Sequence, residues 1–222
     1  MDGPTGGDVA HSLFDRSELN VLRGDHPYPK LRWFALIWLL VYLPSSGMAY
    51  GLLNFLFLCN LGVIITAVAL LLGNQLLLSS QAIASPLIGL VWGLDAGARL
   101  FTGSHLFGGT AYMWDPQYPA FTRFLSLYHL FWPVLMLWIV KTRGYDRRGW
   151  PLQAFIALCG ITAGRLFTEP KNNVNYAFVD PFWGTQIGPP VVHVLVSTAA
   201  MALVAYAVVH VVLTRVLRCP EP

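Results

Sequence analysis

GLLNFLFLCNLGVIITAVALLLG, Gly51–Gly73, runs for 23 residues without a charged side chain. About twenty apolar residues is the helical length that crosses a hydrocarbon core of roughly 30 Å. Blocks of the same kind lie on both sides of it. Arg32–Gly51 precedes it; Leu76–Arg99, Phe124–Val140, Leu152–Phe167 and Val191–Leu217 follow. None has the polar/apolar alternation of outer-membrane strands, and a continuous helix satisfies its own backbone in lipid. The expected fold class is therefore all-α: a polytopic membrane helix bundle of six transmembrane helices over residues 31–218, behind a polar N-terminal arm at 1–30.

Composition points the same way. Of 222 residues, 55% are apolar, 14% aromatic and only 11% charged, against about 25% charged in a soluble domain. Too few polar side chains are present to cover a water-facing surface. The formal charge of +3 is a topology signal, since no basic run is interleaved with aromatics for stacking on bases; no nucleic-acid partner is expected. Cys59, Cys159 and Cys219 form no Cys-x-x-Cys pair and leave an odd count, which argues against a disulfide framework or zinc knuckle. The first thirty residues lack the apolar stretch of a secretory signal.

The basic residues orient the bundle. Lys30 and Arg32 precede the first span, Lys141, Arg143, Arg147 and Arg148 separate the fourth and fifth, and Arg215 and Arg218 follow the sixth. With six crossings they fall on one side, and the positive-inside rule makes both termini and the 141–148 loop cytoplasmic. The long connections 101–123 and 168–187 then lie on the opposite side. Small residues in the sixth span suit helix pairing, so a homo-oligomer is one expected assembly. No internal repeat of the transporter kind is present.

Intramembrane polar side chains are costly unless they pair, which makes them candidates for function. Measured from the external end at ~1.5 Å per residue, Cys59 lies ~12 Å deep, and His129 and His193 ~10 Å. Asn60 adjoins Cys59 and Asn54 lies above it. A histidine within reach of a thiol takes its proton and returns one to a leaving group, while asparagine orients the histidine or donates to an oxyanion. The expected catalytic set is thus Cys59, His129, Asn54, Asn60 and His193, with the two polar connections as a cover. A competing constellation sets Asp95, His129 and His193, with Asp115 or His105, around zinc and an activated water. The plainer readings are a buried apolar thiol, interhelical histidine hydrogen bonds, an Asp95–Arg99 ion pair at a helix end, an Arg165–Glu169 pair beneath the second connection, and rigid turns at Asp115-Pro and Asp180-Pro. The thiol set calls for no cofactor.

NFLFLCNLG, YMWDPQYP, FLSLYHLFWP, KTRGYDRRG and NNVNYAFVDP resemble segments of bacterial six-helix integral membrane proteins of uncharacterised activity, over Tyr28 to about Arg215. More distantly, the arrangement is similar to the transmembrane acyltransferases and androgen-induced lipid hydrolases. That resemblance implies a nucleophile on one helix and a histidine on another, which here fall on Cys59 and His129. Cys59 would attack a lipid acyl carbonyl, His129 would transfer the proton, and the acyl group would pass to water or an acceptor. The expected function is a membrane lipid acyl hydrolase or acyltransferase in a bacterial cytoplasmic (inner) membrane, multi-pass, with a membrane lipid or other amphiphilic small molecule as its partner. A non-enzymatic module that binds or moves an amphiphile is the alternative, and a metal-dependent membrane hydrolase is another.

Overall fold

A computed structural model describes residues 26–217. Residues 1–25 of the expected polar arm, and Arg218 and Cys219, lie outside the described residues. Every regular element is helical. Helix α1, Leu31–Tyr50, continues through Pro44 and stops at Gly51, whose φ of 80° favours glycine. The chain does not then enter one long helix over Gly51–Gly73. Residues Leu52–Leu56 make a 3-10 turn, Phe57 is extended, and α2 begins only at Leu58 and ends at Leu72. The cause is distant in sequence. The Asn175 side chain accepts the Leu58 N–H at 2.8 Å and donates to the Leu56 carbonyl at 2.8 Å, so it satisfies both sides of the break.

Helix α3, Gln75–Thr102, is N-capped by Asn74, whose side chain accepts the Leu77 N–H. It is the central helix, packing against α2 and against α5 and α6 defined below. The expected fourth span is divided: α4 covers Ala120–Leu125 and α5 Tyr128–Arg143. Between them the chain tightens, with His129 N–H donating to Ser126 O and Leu130 N–H to Leu127 O, each three residues back. Pro133 has no N–H to offer the His129 carbonyl. Here α3 comes closest, since a Cβ built on Gly89 would stand 2.5 Å from that carbonyl oxygen and from Pro133 Cγ. Helix α6, Gly149–Phe167, is longer than the Leu152–Phe167 block suggested. The last span consists of α7, Pro190–Ala200, a π-helical turn at Met201–Tyr206, and α8, Ala207–Val216. In the π turn the Ala202 carbonyl also accepts the Trp150 indole N–H at 3.0 Å, tying α6 to it.

Among the described residues, five helical stretches are long and apolar enough to cross a membrane: Leu31–Tyr50, Gln75–Thr102, Ala120–Arg143, Gly149–Phe167 and Pro190–Val216. Helix α2 has only 15 residues. Its last turn meets the start of the described chain, where His26 Nε2 bonds the Leu71 carbonyl, and Arg143 donates to the Pro27 carbonyl beside it. Its first turn lies among residues of the opposite end, near Tyr42 and Asn54. Large apolar side chains such as Met48, Phe101 and Phe131 face outward, a surface suited to lipid.

Replacing Gly89 by alanine forces α3 away from α5 and is expected to destabilise the protein by about 1–3 kcal/mol. Gly97→Ala, on the same helix in open space, should be neutral or slightly stabilising. Thermal unfolding of the two variants in detergent, side by side, checks this; equal melting temperatures would contradict the close packing at Gly89.

Candidate functional site

The end of the bundle opposite the 141–148 loop holds a cavity of about 360 Å³. Four of the five residues singled out from sequence line it: Cys59, His129, Asn54 and Asn60. The fifth, His193, does not. It is fully buried elsewhere, with Nδ1 accepting the Ile187 N–H at 3.0 Å and Nε2 donating to the Tyr176 carbonyl at 2.9 Å. Both ring nitrogens are occupied in fastening the second polar connection to α7.

Asn60 organises one wall. Its Oδ1 accepts the phenol of Tyr42 at 2.7 Å and that of Tyr128 at 2.8 Å, and its Nδ2 donates to the Asn54 carbonyl at 2.6 Å. The Cys59 sulfur, in the first turn of α2, reaches the same Oδ1 at 3.7 Å. No hydrogen bond joins Cys59 to His129. The backbone N–H groups of Cys59 and Asn60, left over by the late start of α2, have no backbone acceptor among the described residues and lie beside the Cys59 sulfur. Asn54 contributes through its main chain, and its side chain makes no hydrogen bond among the described residues.

His129 is fixed by stacking. Its ring lies 5.0 Å from that of Trp92, with 5° between planes, and 4.1 Å from that of Tyr128. Nδ1 sits 2.7 Å from the Ser126 carbonyl. A carbonyl only accepts, so Nδ1 carries the proton and the neutral ring keeps a lone pair on Nε2. That lone pair meets no donor among the described residues. Two tyrosines add further capacity. The Tyr112 hydroxyl accepts the Trp92 indole N–H at 3.0 Å, which leaves its own proton to donate. Burial pushes this phenol above its ordinary value, so it stays protonated at physiological pH. The Tyr50 hydroxyl is buried, with the Ser126 side chain as its polar neighbour. Tyr42, Tyr50, Tyr112 and Trp92 did not stand out from sequence. The available signal was the spacing of Tyr42, Ser46 and Tyr50, four residues apart and so on one face of α1.

The connections cover the cavity because side chains hold them from below. Asp95, buried at the end of α3, accepts the N–H groups of Phe107, Gly108 and Thr110 at 2.6, 3.1 and 2.8 Å and also the Thr110 hydroxyl. His105 Nδ1 lies 3.3 Å from the same carboxylate. Asp95 therefore forms a loop anchor and no ion pair with Arg99. Arg165 likewise leaves Glu169 to Lys171; it donates to the Ala177 carbonyl and Gln186 and lies over the Phe178 ring. Asp115 and Asp180 close the turns expected of them, Asp180 by accepting the Phe182 and Trp183 N–H groups. Asp95, His105, Asp115, His129 and His193 do not converge; among the described residues no three His, Cys, Asp or Glu side chains are grouped to hold a metal ion.

Comparison with known proteins finds no matching family model, no matching curated protein and no matching solved structure.

Asp95→Ala removes four donors' common acceptor and is expected to release the 105–110 loop from α3. Amide hydrogen exchange at Phe107, Gly108 and Thr110 should accelerate by about fivefold to a hundredfold, in line with about 1–3 kcal/mol for a stranded buried donor. Unchanged protection there would show that the loop holds itself.

Proposed function

We propose that the cavity binds the polar end of a membrane lipid or other amphiphile, with His129 Nε2 as its principal hydrogen-bond acceptor. The observation that carries this reading is the state of the cavity's polar groups. Asn60 is held by both phenols and the Asn54 carbonyl, whereas the His129 lone pair meets no protein donor and the Tyr112 and Tyr50 hydroxyls have only the Ser126 side chain between them. Buried polar groups are ordinarily satisfied, so an arrangement that leaves several open in one cavity fits a ligand that supplies the missing bonds. The aromatic lining adds apolar contact around them.

Acyl transfer through Cys59 is the second reading, favoured by the sharing of one cavity by Cys59, His129, Asn54 and Asn60. The thiol lies where the orphaned N–H groups at the start of α2 would stabilise a developing oxyanion. A bound ester would have to bring sulfur and imidazole into a working relation, because the thiol is directed to Asn60. We assign the protein six crossings of a bacterial inner membrane, with both termini and the 141–148 loop cytoplasmic. This rests on the excess of basic residues at one end, where Lys30, Arg32, Lys141, Arg143, Arg147, Arg148 and Arg215 stand against Arg99, Arg123, Arg165 and Lys171 at the other, and on α2 running between the two ends of the bundle.

His129→Phe keeps the stacked ring and removes the acceptor. Binding of lipid extracted with the protein, measured by native mass spectrometry and titration in nanodiscs, should weaken about threefold to tenfold, the worth of one hydrogen bond. Cys59→Ala should bind as the parent does. Ester turnover by the parent that disappears in Cys59→Ala with binding intact would establish the thiol reading over simple binding; affinity indifferent to His129→Phe would refute the assignment of the acceptor. For topology, a cysteine placed at Arg147 should react with an impermeant maleimide only after the membrane is opened.

A further inference from the structure

A second concavity, of about 190 Å³, lies between α1, α2 and α5 on the bundle's outer surface. Its walls are hydrocarbon: Phe34, Ala35 and Trp38 from α1, Val63 and Leu70 from α2, Leu135 from α5. The one aliphatic hydroxyl in it, that of Thr66, already accepts the Trp132 indole N–H at 2.9 Å and points its own proton at the Met136 sulfur. Nothing in the groove is left to bind a polar group. It begins at the far side of the Asn60 bridge. Tyr42 lines the polar cavity, Tyr128 lines the groove, and both phenols end on Asn60 Oδ1. From Tyr128 to Leu135 the groove runs about 10 Å toward the middle of the bundle. Polar space therefore lies at the end of the helices and apolar space beneath it, the order of head and tail in a leaflet.

The cavity carries a second restriction. No Asp, Glu, Lys or Arg lines it. The nearby carboxylate of Asp95 is saturated by the 105–110 loop, and Arg123, behind the lining, donates from its guanidinium to the Met113 carbonyl and keeps Nε buried without a hydrogen-bond partner. A charged headgroup would lose water there without a charged side chain on the wall to pair with, whereas a hydroxyl or carbonyl finds both a donor in Tyr112 and an acceptor in His129.

We propose that cavity and groove form one bipartite site for a neutral single-chain amphiphile, with an uncharged hydroxyl- or carbonyl-bearing head in the cavity and one hydrocarbon chain in the groove, on either side of the Tyr42–Asn60–Tyr128 bridge. This deepens the binding reading above and rests on it.

The test uses the full chain in nanodiscs with two probes of equal chain length, a monoacylglycerol and the corresponding lysophosphatidic acid, each with bromines on the chain. Trp38 and Trp132 line the groove, so chain entry quenches their fluorescence. The monoacylglycerol should quench saturably and bind at least tenfold more tightly than the anionic probe. Leu135→Trp, at a partly exposed position that does not threaten folding, narrows the groove; Ala35→Leu does so from α1. Both should weaken long-chain monoacylglycerol severalfold while sparing a short-chain homologue, and Ser126→Trp, which fills the cavity, should weaken both homologues. Equal affinity for the two headgroups would overturn the neutral-head assignment. Long-chain binding lost in Ser126→Trp but untouched in both groove variants would overturn the groove and leave the cavity reading standing. Failure of every probe to bind saturably would overturn both.

Discussion

A carboxamide inside a membrane has no water to fall back on, and each of its donors and acceptors must be met by the protein. Asn60 meets most of this constraint, with its oxygen and one of its two N–H groups, by drawing three helices together. Its oxygen takes the phenols of Tyr42 from α1 and Tyr128 from α5, and its amide nitrogen returns to the Asn54 carbonyl before its own helix. The two phenol rings meet edge to face at 5.7 Å, so the polar contact is backed by an apolar one. Because Tyr128 is fixed, the ring stacked on it is fixed too, and the orientation of His129 follows from an interaction it does not itself make. The bridge also divides space, with the polar cavity on one side and the hydrocarbon groove on the other.

The two long connections obey the same rule from outside. Each is tied to the bundle by a side chain whose bonds run to main-chain groups: Asp95 for the first, Asn175 for the second. Asn175 itself has φ of 54°, and its neighbours Asn173 and Tyr176 are also left-handed at 38° and 58°. Such backbone is costly for residues other than glycine. It persists here because each of the three is held. Asn173 accepts the Phe178 and Val179 N–H groups, Asn175 splices the break before α2, and the Tyr176 carbonyl takes His193 Nε2. His193 acts in this setting as a fastener of the connection.

The membrane-length helices were legible in the sequence because chain composition alone dictates them: a block of apolar residues has no other low-energy state in lipid. The breaks were less so. Gly51 and Pro133 mark two of them locally, yet the 3-10 turn at Leu52–Leu56 depends on an asparagine more than a hundred residues away, which no local pattern reports. That break moves Cys59 from the interior of a long helix to the first turn of a short one. At the site, side-chain type and depth brought Cys59, Asn54, Asn60 and His129 to one cavity, because helices of similar length place residues of similar depth at one level. Depth does not give azimuth, however, and His193 shares the level while facing a different neighbour. The same limit hid the tyrosines, whose aromatic bodies read as ordinary interfacial residues until their hydroxyls are seen to converge.

The charges around the cavity are placed so that selectivity must come from hydrogen bonds. Asp95 and Arg123 both approach it without lining it; Asp95 is committed to the N–H groups of the 105–110 loop, and Arg123 gives one bond to the Met113 carbonyl. What lines the cavity is a lone pair on His129 and the hydroxyls of Tyr112, Tyr50 and Ser126, all neutral. A site of this kind discriminates sharply against analogues that lack the matching group, since its own buried atoms are then stranded, and weakly among chains that differ by one methylene. Charge would have served a different end, drawing ligands in from water over a distance comparable with the Debye length. A ligand arriving through the bilayer needs no such steering, and a formal charge among these tyrosines would require a partner the helices do not provide. The neutrality of the cavity and the apolar groove beneath it therefore agree with the proposed reading, in which the ligand would come from the membrane and be recognised without leaving it.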